Sequence, residues 1–206
     1  MSEGFPQIDA VPYAWPFDGR WTAEDTALLL LGFQAGTVAS LGAEAETAVA
    51  ARLAKAARTA GLAVIATRRG RGTIESAVAR RRAELGDRLQ AVGAPDWELA
   101  RGLALGKDAE IIDHSGDNAF YGSNLEGLLR ARGVSRLLIA GLPTEGLLHA
   151  TMRTANDMGL EALAISDATK ATTPERRIAQ LRITAFGNGL FGAHAETAQV
   201  LRALGA

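Results

Sequence analysis

His114 and Glu145 are the two side chains of this sequence best placed to move protons near neutral pH. Each follows an apolar run: His114 closes the segment that starts at Glu110, and Glu145 comes shortly after Arg136–Gly141. An imidazole at a strand end can accept or donate a proton. A carboxylate in the first turn of a helix could take part, although it also offsets the helix dipole for structural reasons alone. Together they would suit acid/base hydrolysis of a small amide, urea-like or acid-labile substrate, provided that both face one cavity. The competing reading is a histidine bonded to backbone and a glutamate that serves only its helix. Thiolate chemistry is excluded, because the chain has no cysteine, and with it go disulfides and cysteine metal sites. Neither a metal site nor a cofactor is expected.

The stretch RLLIAGLPTEGLLHATMRTANDM, from Arg136 to Met158, must position this chemistry. It reads as a short apolar strand ending in Gly141, a tight elbow at Leu142-Pro143-Thr144-Glu145, and a helix on which Leu148, Thr151, Met152 and Ala155 share one face. In an α/β sheet such an elbow lies at the carboxyl ends of the strands and presents helix N–H groups, where ligands and oxyanions are held. Proline reduces the trans preference of the preceding bond to about 0.5–1 kcal/mol, which makes a cis Leu142-Pro143 bond accessible. Pro143 has no N–H to donate.

The segment GLPTEGLLHATMRTANDMGLEALAISDAT resembles the signature region of the isochorismatase-like cysteine hydrolases, closest to the ureidoacrylate and biuret amidohydrolase branch. ALLLLGFQ (27–34), IIDHSGDNAFYGSNLEGLLRARG (111–133) and GNGLFGAHAET (187–197) match further family segments in the same order. The resemblance implies a cysteine nucleophile, an aspartate that exchanges protons with it, a lysine that tunes the pair, and backbone N–H groups for the oxyanion. Carried over by position, the cysteine is Leu147, the aspartate Gly32 and the lysine His114; the residue whose N–H helps hold the oxyanion is Pro143, and because a cis peptide precedes that residue in the family, the resemblance implies that Leu142-Pro143 is cis. The resemblance therefore implies a family member without the thiolate mechanism: a noncatalytic small-ligand-binding or assembly subunit, forming a homo-oligomer or pairing with an active homologue. Gln34, Arg68, Phe120, Tyr121, Pro143, Thr144 and Leu147 are the expected pocket residues, with an apolar floor at Leu147. The alternative is a cysteine-independent hydrolase using His114 and Glu145.

Length and composition set the frame. At 206 residues with 48% hydrophobic and 22% charged residues, one α/β domain is expected over 22–206, preceded by an arm at 1–21. The arm carries Pro6, Pro12 and Pro16 among Phe5, Tyr13, Trp15 and Phe17, too proline-rich for a helix and too aromatic for a solvated tail. It should pack on its own domain or cross onto a partner. A net charge of −1 gives no electrostatic case for nucleic acid or an anionic membrane. The start lacks a signal-peptide pattern and no apolar run approaches the ~20 residues of a membrane span, so a cytoplasmic protein is expected.

Strands are expected at Ala27–Leu31, Leu62–Thr67, Glu110–Asp113, Arg136–Gly141 and Glu161–Ser166, with a short sixth at Leu190-Phe191. Helices are expected at about Ala43–Ala60, Ile74–Val92, after a capping box at Ser123–Glu126, after the elbow, from Thr173-Pro174 with Ile178, Leu181 and Ala185 inward, and at Ala195–Leu204. The arginines at 80–82 are expected on a solvated or intersubunit face. This alternation requires a parallel sheet with right-handed crossovers: a three-layer α/β/α sandwich of six strands, order 3-2-1-4-5-6. The pocket is expected where strands one and four adjoin, between Gly32 and the elbow.

Overall fold

The computed structural model of the chain describes residues 4–70, 77–86, 90–106 and 109–206. Six strands are all parallel: β1 (Thr26–Leu31), β2 (Ala63–Arg69), β3 (Glu110–His114), β4 (Arg136–Gly141), β5 (Glu161–Thr169) and β6 (Ala193–Ala195). They lie in the order β3-β2-β1-β4-β5-β6. The apolar run of β1 is buried along its whole length, as a central strand covered on both faces must be. Its even and odd residues feed two cores. Leu28 and Leu30 join Leu53, Val64, Leu138 and Leu163 on one side. Leu29 and Leu31 join Ile65, Ile139, Leu147 and Met152 on the other.

Helices cover both faces: α1 (Ala35–Leu41), α2 (Glu44–Thr59), α3 (Ala77–Glu84), α4 (Leu125–Ala131), α5 (His149–Asp157), α6 (Pro174–Thr184), α7 (Phe186–Gly189) and α8 (Thr197–Leu204). Helix α1 was not expected; it fills the loop after β1, which carries no charged residue to mark a helical face. The expected helix at Ile74–Val92 is described as α3 over Ala77–Glu84, and residues 74–76 and 87–89 lie outside the described residues. Residues Ala193–Ala195 form the sixth strand instead of Leu190-Phe191, because Gly187 and Asn188 take left-handed φ and turn the chain first. Leu190 is left 53% exposed.

Local chemistry accounts for the remaining boundaries. Thr173 caps α6 by accepting from Arg176 N at 3.3 Å, with Pro174 in the first turn. Leu181 faces inward, but Ile178 does not; Gln180 and Thr184 are buried beside Leu181. The expected capping box at Ser123–Glu126 is replaced: Ser123 Oγ takes Leu125 N and donates to Ala119 O, while Glu126 pairs with Arg130. The arm packs on its own domain, with Ile8, Trp15 and Trp21 fully buried in the core and Val11 bridged to His194 of β6.

Candidate active-site cleft

The cleft lies at the carboxyl ends of β1 and β4, where the topology changes direction. A cavity of about 150 Å³ is lined by Gly32, Gln34, Thr37, Ser40, Leu41, Arg69, Gln90, Leu142, Pro143 and Leu147. That is below the roughly 300–1,000 Å³ usual for small-molecule pockets. The reason is visible at its floor. Leu147 is 1% exposed, and its Cδ2 would stand 2.9 Å from a Cβ added to Gly32. The same Cβ would meet Leu142 O at 2.6 Å, and Gly32 itself has φ +68°. A side chain at 32 is therefore opposed by the neighbouring leucine, by a carbonyl and by the left-handed backbone.

Elbow geometry completes the floor. The Leu142-Pro143 peptide is cis. Thr144–Leu148 is a π-helical turn leading into α5. Pro143 brings no N–H. The Thr144 N–H donates to Lys170 O at 3.0 Å, and the N–H groups of Gly146 and Leu148 both point at Pro143 O at 3.3 Å. The Thr144 side chain is fully buried, with Oγ1 2.8 Å from Thr169 Oγ1, which donates to Gly141 O. Its hydroxyl thus joins β4 to β5 and is absent from the cavity lining.

Gln34 lines the cavity and holds the loop after β1. It is 1% exposed; its Oε1 accepts from Arg69 N at 2.7 Å, and its Nε2 donates to Arg69 O and Trp97 O, both at 2.9 Å. It ties the end of β1 to β2 and to the segment crossing above. The cationic lining residue is Arg69, paired with Asp117, and not Arg68. Arg68 lies on the opposite face of β2, bonded to Asp113 and Glu98 and stacked on Trp97 at 3.8 Å. The correction follows from strand parity: β2 runs two residues past its expected end, so the residue that continues the cleft-facing row is 69. Phe120 packs against the core and Tyr121 is 66% exposed; neither lines the cavity.

His114 and Glu145 are not brought together. Strands β3 and β4 are three steps apart in the sheet, about 14 Å at ~4.8 Å per step. The His114 ring is 4% exposed and its Nδ1 lies 3.0 Å from Gly116 O, so Nδ1–H donates to that carbonyl. Nε2 is buried without a partner. Burial first, and the Arg69 guanidinium second to it among the lowering effects, hold its pKa down to about 4. Glu145 turns away toward β5. Its Oε1 accepts from Thr172 N at 3.0 Å and Thr172 Oγ1 at 2.6 Å, clamping the elbow to the loop before α6. Neither residue lines the cavity.

A parallel 3-2-1-4-5-6 sheet with a cleft between β1 and an elbow after β4 defines a class of α/β proteins that hold small ligands at the strand ends. Within that class, the isochorismatase domain signature matches residues 26–199, and the chain belongs to the isochorismatase family. It is 28% identical over 174 residues to the ureidoacrylate amidohydrolase RutB of Variovorax paradoxus, covering 71% of this chain and 69% of that protein. It is 27% identical to the uncharacterized isochorismatase family protein YecD of Escherichia coli O157:H7, over 75% of this chain and 84% of that one. Against other ureidoacrylate amidohydrolases the match spans as little as 37% of their length. A cysteine hydrolase from Pseudomonas syringae pv. phaseolicola superposes with a TM-score of 0.79 at 25% identity, covering 100% of this chain and 99% of that one.

Proposed function

We propose that this chain is an isochorismatase-family protein without the family's thiolate chemistry, acting as a noncatalytic small-ligand-binding or assembly subunit. The observation that carries the reading is the reciprocal fit of residues 32 and 147. A leucine occupies the floor where a nucleophile would stand, and the residue facing it has room for no carboxylate. Oxyanion stabilisation is weakened too: residue 143 is a proline, and the next N–H is engaged with Lys170 O. Losing one such donor costs on the order of a hundredfold or more in rate. What remains is a small cleft with an apolar floor and a polar rim of Thr37, Ser40, Gln90 and Arg69, suited to binding a compact polar ligand. The acid/base alternative draws no support from a His114 and Glu145 that face different elements.

The relatives named as ureidoacrylate amidohydrolases direct the choice of compounds. Purified protein should release no ammonia above the buffer blank from ureidoacrylate, biuret or simple ureas, whereas working enzymes turn over at about 1–10³ s⁻¹. L147C should stay inactive as well, because a thiol alone restores neither the carboxylate at 32 nor the N–H at 143. Turnover by the wild-type protein that is abolished by blocking the cleft would overturn the proposal; so would activity gained by L147C.

A further inference from the structure

We propose that a second cavity, at the carboxyl end of β5, binds a small α-amino acid in its zwitterionic form. The cavity measures about 370 Å³, and its lining includes Glu46 of α2, Asp167 and Lys170 at the end of β5, and Arg177 of α6. It is more than twice the size of the 150 Å³ cleft and falls within the roughly 300–1,000 Å³ of small-molecule pockets. Among the described residues, Leu41 alone is common to the two linings, so this cavity neighbours the cleft and does not extend its floor.

The unmet bonds in its wall identify the ligand. Of the four charged side chains, two of each sign, two are engaged. Lys170 Nζ donates to Gly42 O at 2.5 Å, and Asp167 Oδ1 accepts from Thr197 N at 2.7 Å and from Thr197 Oγ1 at 2.8 Å. The other two are not matched. Arg177 gives Nε and Nη2 to one neutral carbonyl, Ser166 O, at 3.0 and 2.5 Å, and among the described residues no carboxylate stands within ion-pair distance of it. Glu46 Oε2 is buried with no hydrogen-bond partner; Lys170 Nζ is 3.6 Å away, too far to bond. A guanidinium is matched by a carboxylate, and a buried carboxylate oxygen without a donor is costly. A simple anion would leave Glu46 as it is, and a simple amine would leave Arg177; a molecule carrying both groups answers both. The lining charges cancel, so a zwitterion enters without adding net charge to a desolvated site. Thr173 and Pro174 bring the amino end of α6 to the same space, which favours the carboxylate on the Arg177 side. Leu41 and Ala171 make part of the wall apolar, which suits a short aliphatic side chain. The inference is independent of the proposed loss of catalysis, since neither Arg177 nor Glu46 lines the cleft.

Isothermal titration calorimetry of the full chain with L-alanine, L-serine and L-valine tests it, with propanoate and ethylamine as the two halves of alanine. At least one amino acid should bind saturably, and each half should bind at least ~10-fold more weakly than alanine. R177M and E46Q should each raise the amino acid's Kd by about 10–100-fold, the weight of a charge-assisted hydrogen bond. E46Q keeps the shape of the side chain, so it remains decisive if R177M, which also releases Ser166 O, lowers the urea midpoint. S40W, which crowds the rim of the cleft, should leave the affinity unchanged. Absence of saturable binding up to millimolar concentration overturns the proposal, as does propanoate binding as tightly as alanine, or a Kd indifferent to E46Q. If S40W abolishes binding while E46Q is silent, the amino acid sits in the cleft: that result sinks the second site and leaves the reading of the cleft standing.

Discussion

The space between residues 32 and 147 is a physical coupling that can be measured. Gly32→Ala adds a Cβ at a left-handed φ, costing about 1–2 kcal/mol, and overpacks against Leu147 Cδ2 and Leu142 O, a further 1–3 kcal/mol or so. Leu147→Ala opens the floor, at about 2–5 kcal/mol. In the double variant the Leu147 contact is gone while the carbonyl contact persists. The two costs should therefore fall short of additivity by about 1 kcal/mol; urea midpoints of the two single variants and the double decide this, and strictly additive costs would mean that the residues do not touch. His114 supports a second prediction. Its folded pKa, about 4, lies below the unfolded value of about 6.5, so the unfolded chain binds the extra proton. The stabilisation is full above pH ~6.5 and is lost as pH falls through that range to about 4, by roughly 3 kcal/mol in all. Between pH 7.5 and 4.5 the wild type should lose more stability than H114Q; equal losses would show that the ring is not buried neutral.

At the scale of elements, the fold was legible wherever burial was total. The unbroken apolar runs of β1 and β4 fixed both strands to within a residue, since only a central parallel strand excludes polar residues from both faces. The glycine after β1 and the proline after β4 marked the cleft between them, and Gln34 was legible as one of the residues lining it. What escaped is where register or packing overrides composition. Arg68 and Arg69 are adjacent cations, and only the true end of β2, two residues later than the apolar run implies, decides which one faces the cleft. Ile178 reads as core by its chemistry, yet α6 meets the domain through Gln180, bonded to His149 of α5, and Thr184, whose hydroxyl donates to Gln180 O within the helix. The α1 helix carries no capping side chain, so its sequence looks like loop. Glu145 was read through its own helix dipole, and its contact with Thr172 depends on a loop 27 residues away that no local pattern reveals.

Across the whole molecule, the arm and the domain are better treated as one cooperative body than as a domain with an appendage. Ile8, Trp15 and Trp21 are buried to 1% or less; Trp15 and Trp21 meet edge to face at 5.6 Å, and Trp21 Nε1 donates to Pro6 O at 2.8 Å. Backbone pairs Phe5–Trp21 and Ile8–Trp15 fold the arm onto itself, and Val11–His194 fastens it to the edge strand β6. Each fully buried large apolar side chain contributes about 1.5–3 kcal/mol, against a total stability of about 5–15 kcal/mol for a domain. Trp15→Ala should therefore lower the unfolding free energy by about 3–5 kcal/mol, with the transition still single and followed identically by far-ultraviolet circular dichroism and by tryptophan fluorescence. A chain lacking residues 1–18 should fail to show a cooperative transition, because β6 and the core beneath Trp21 lose their cover together. If truncation instead left the urea midpoint of the remaining chain unchanged, the arm would be an independent attachment, and the boundary at residue 21 would be a true domain border.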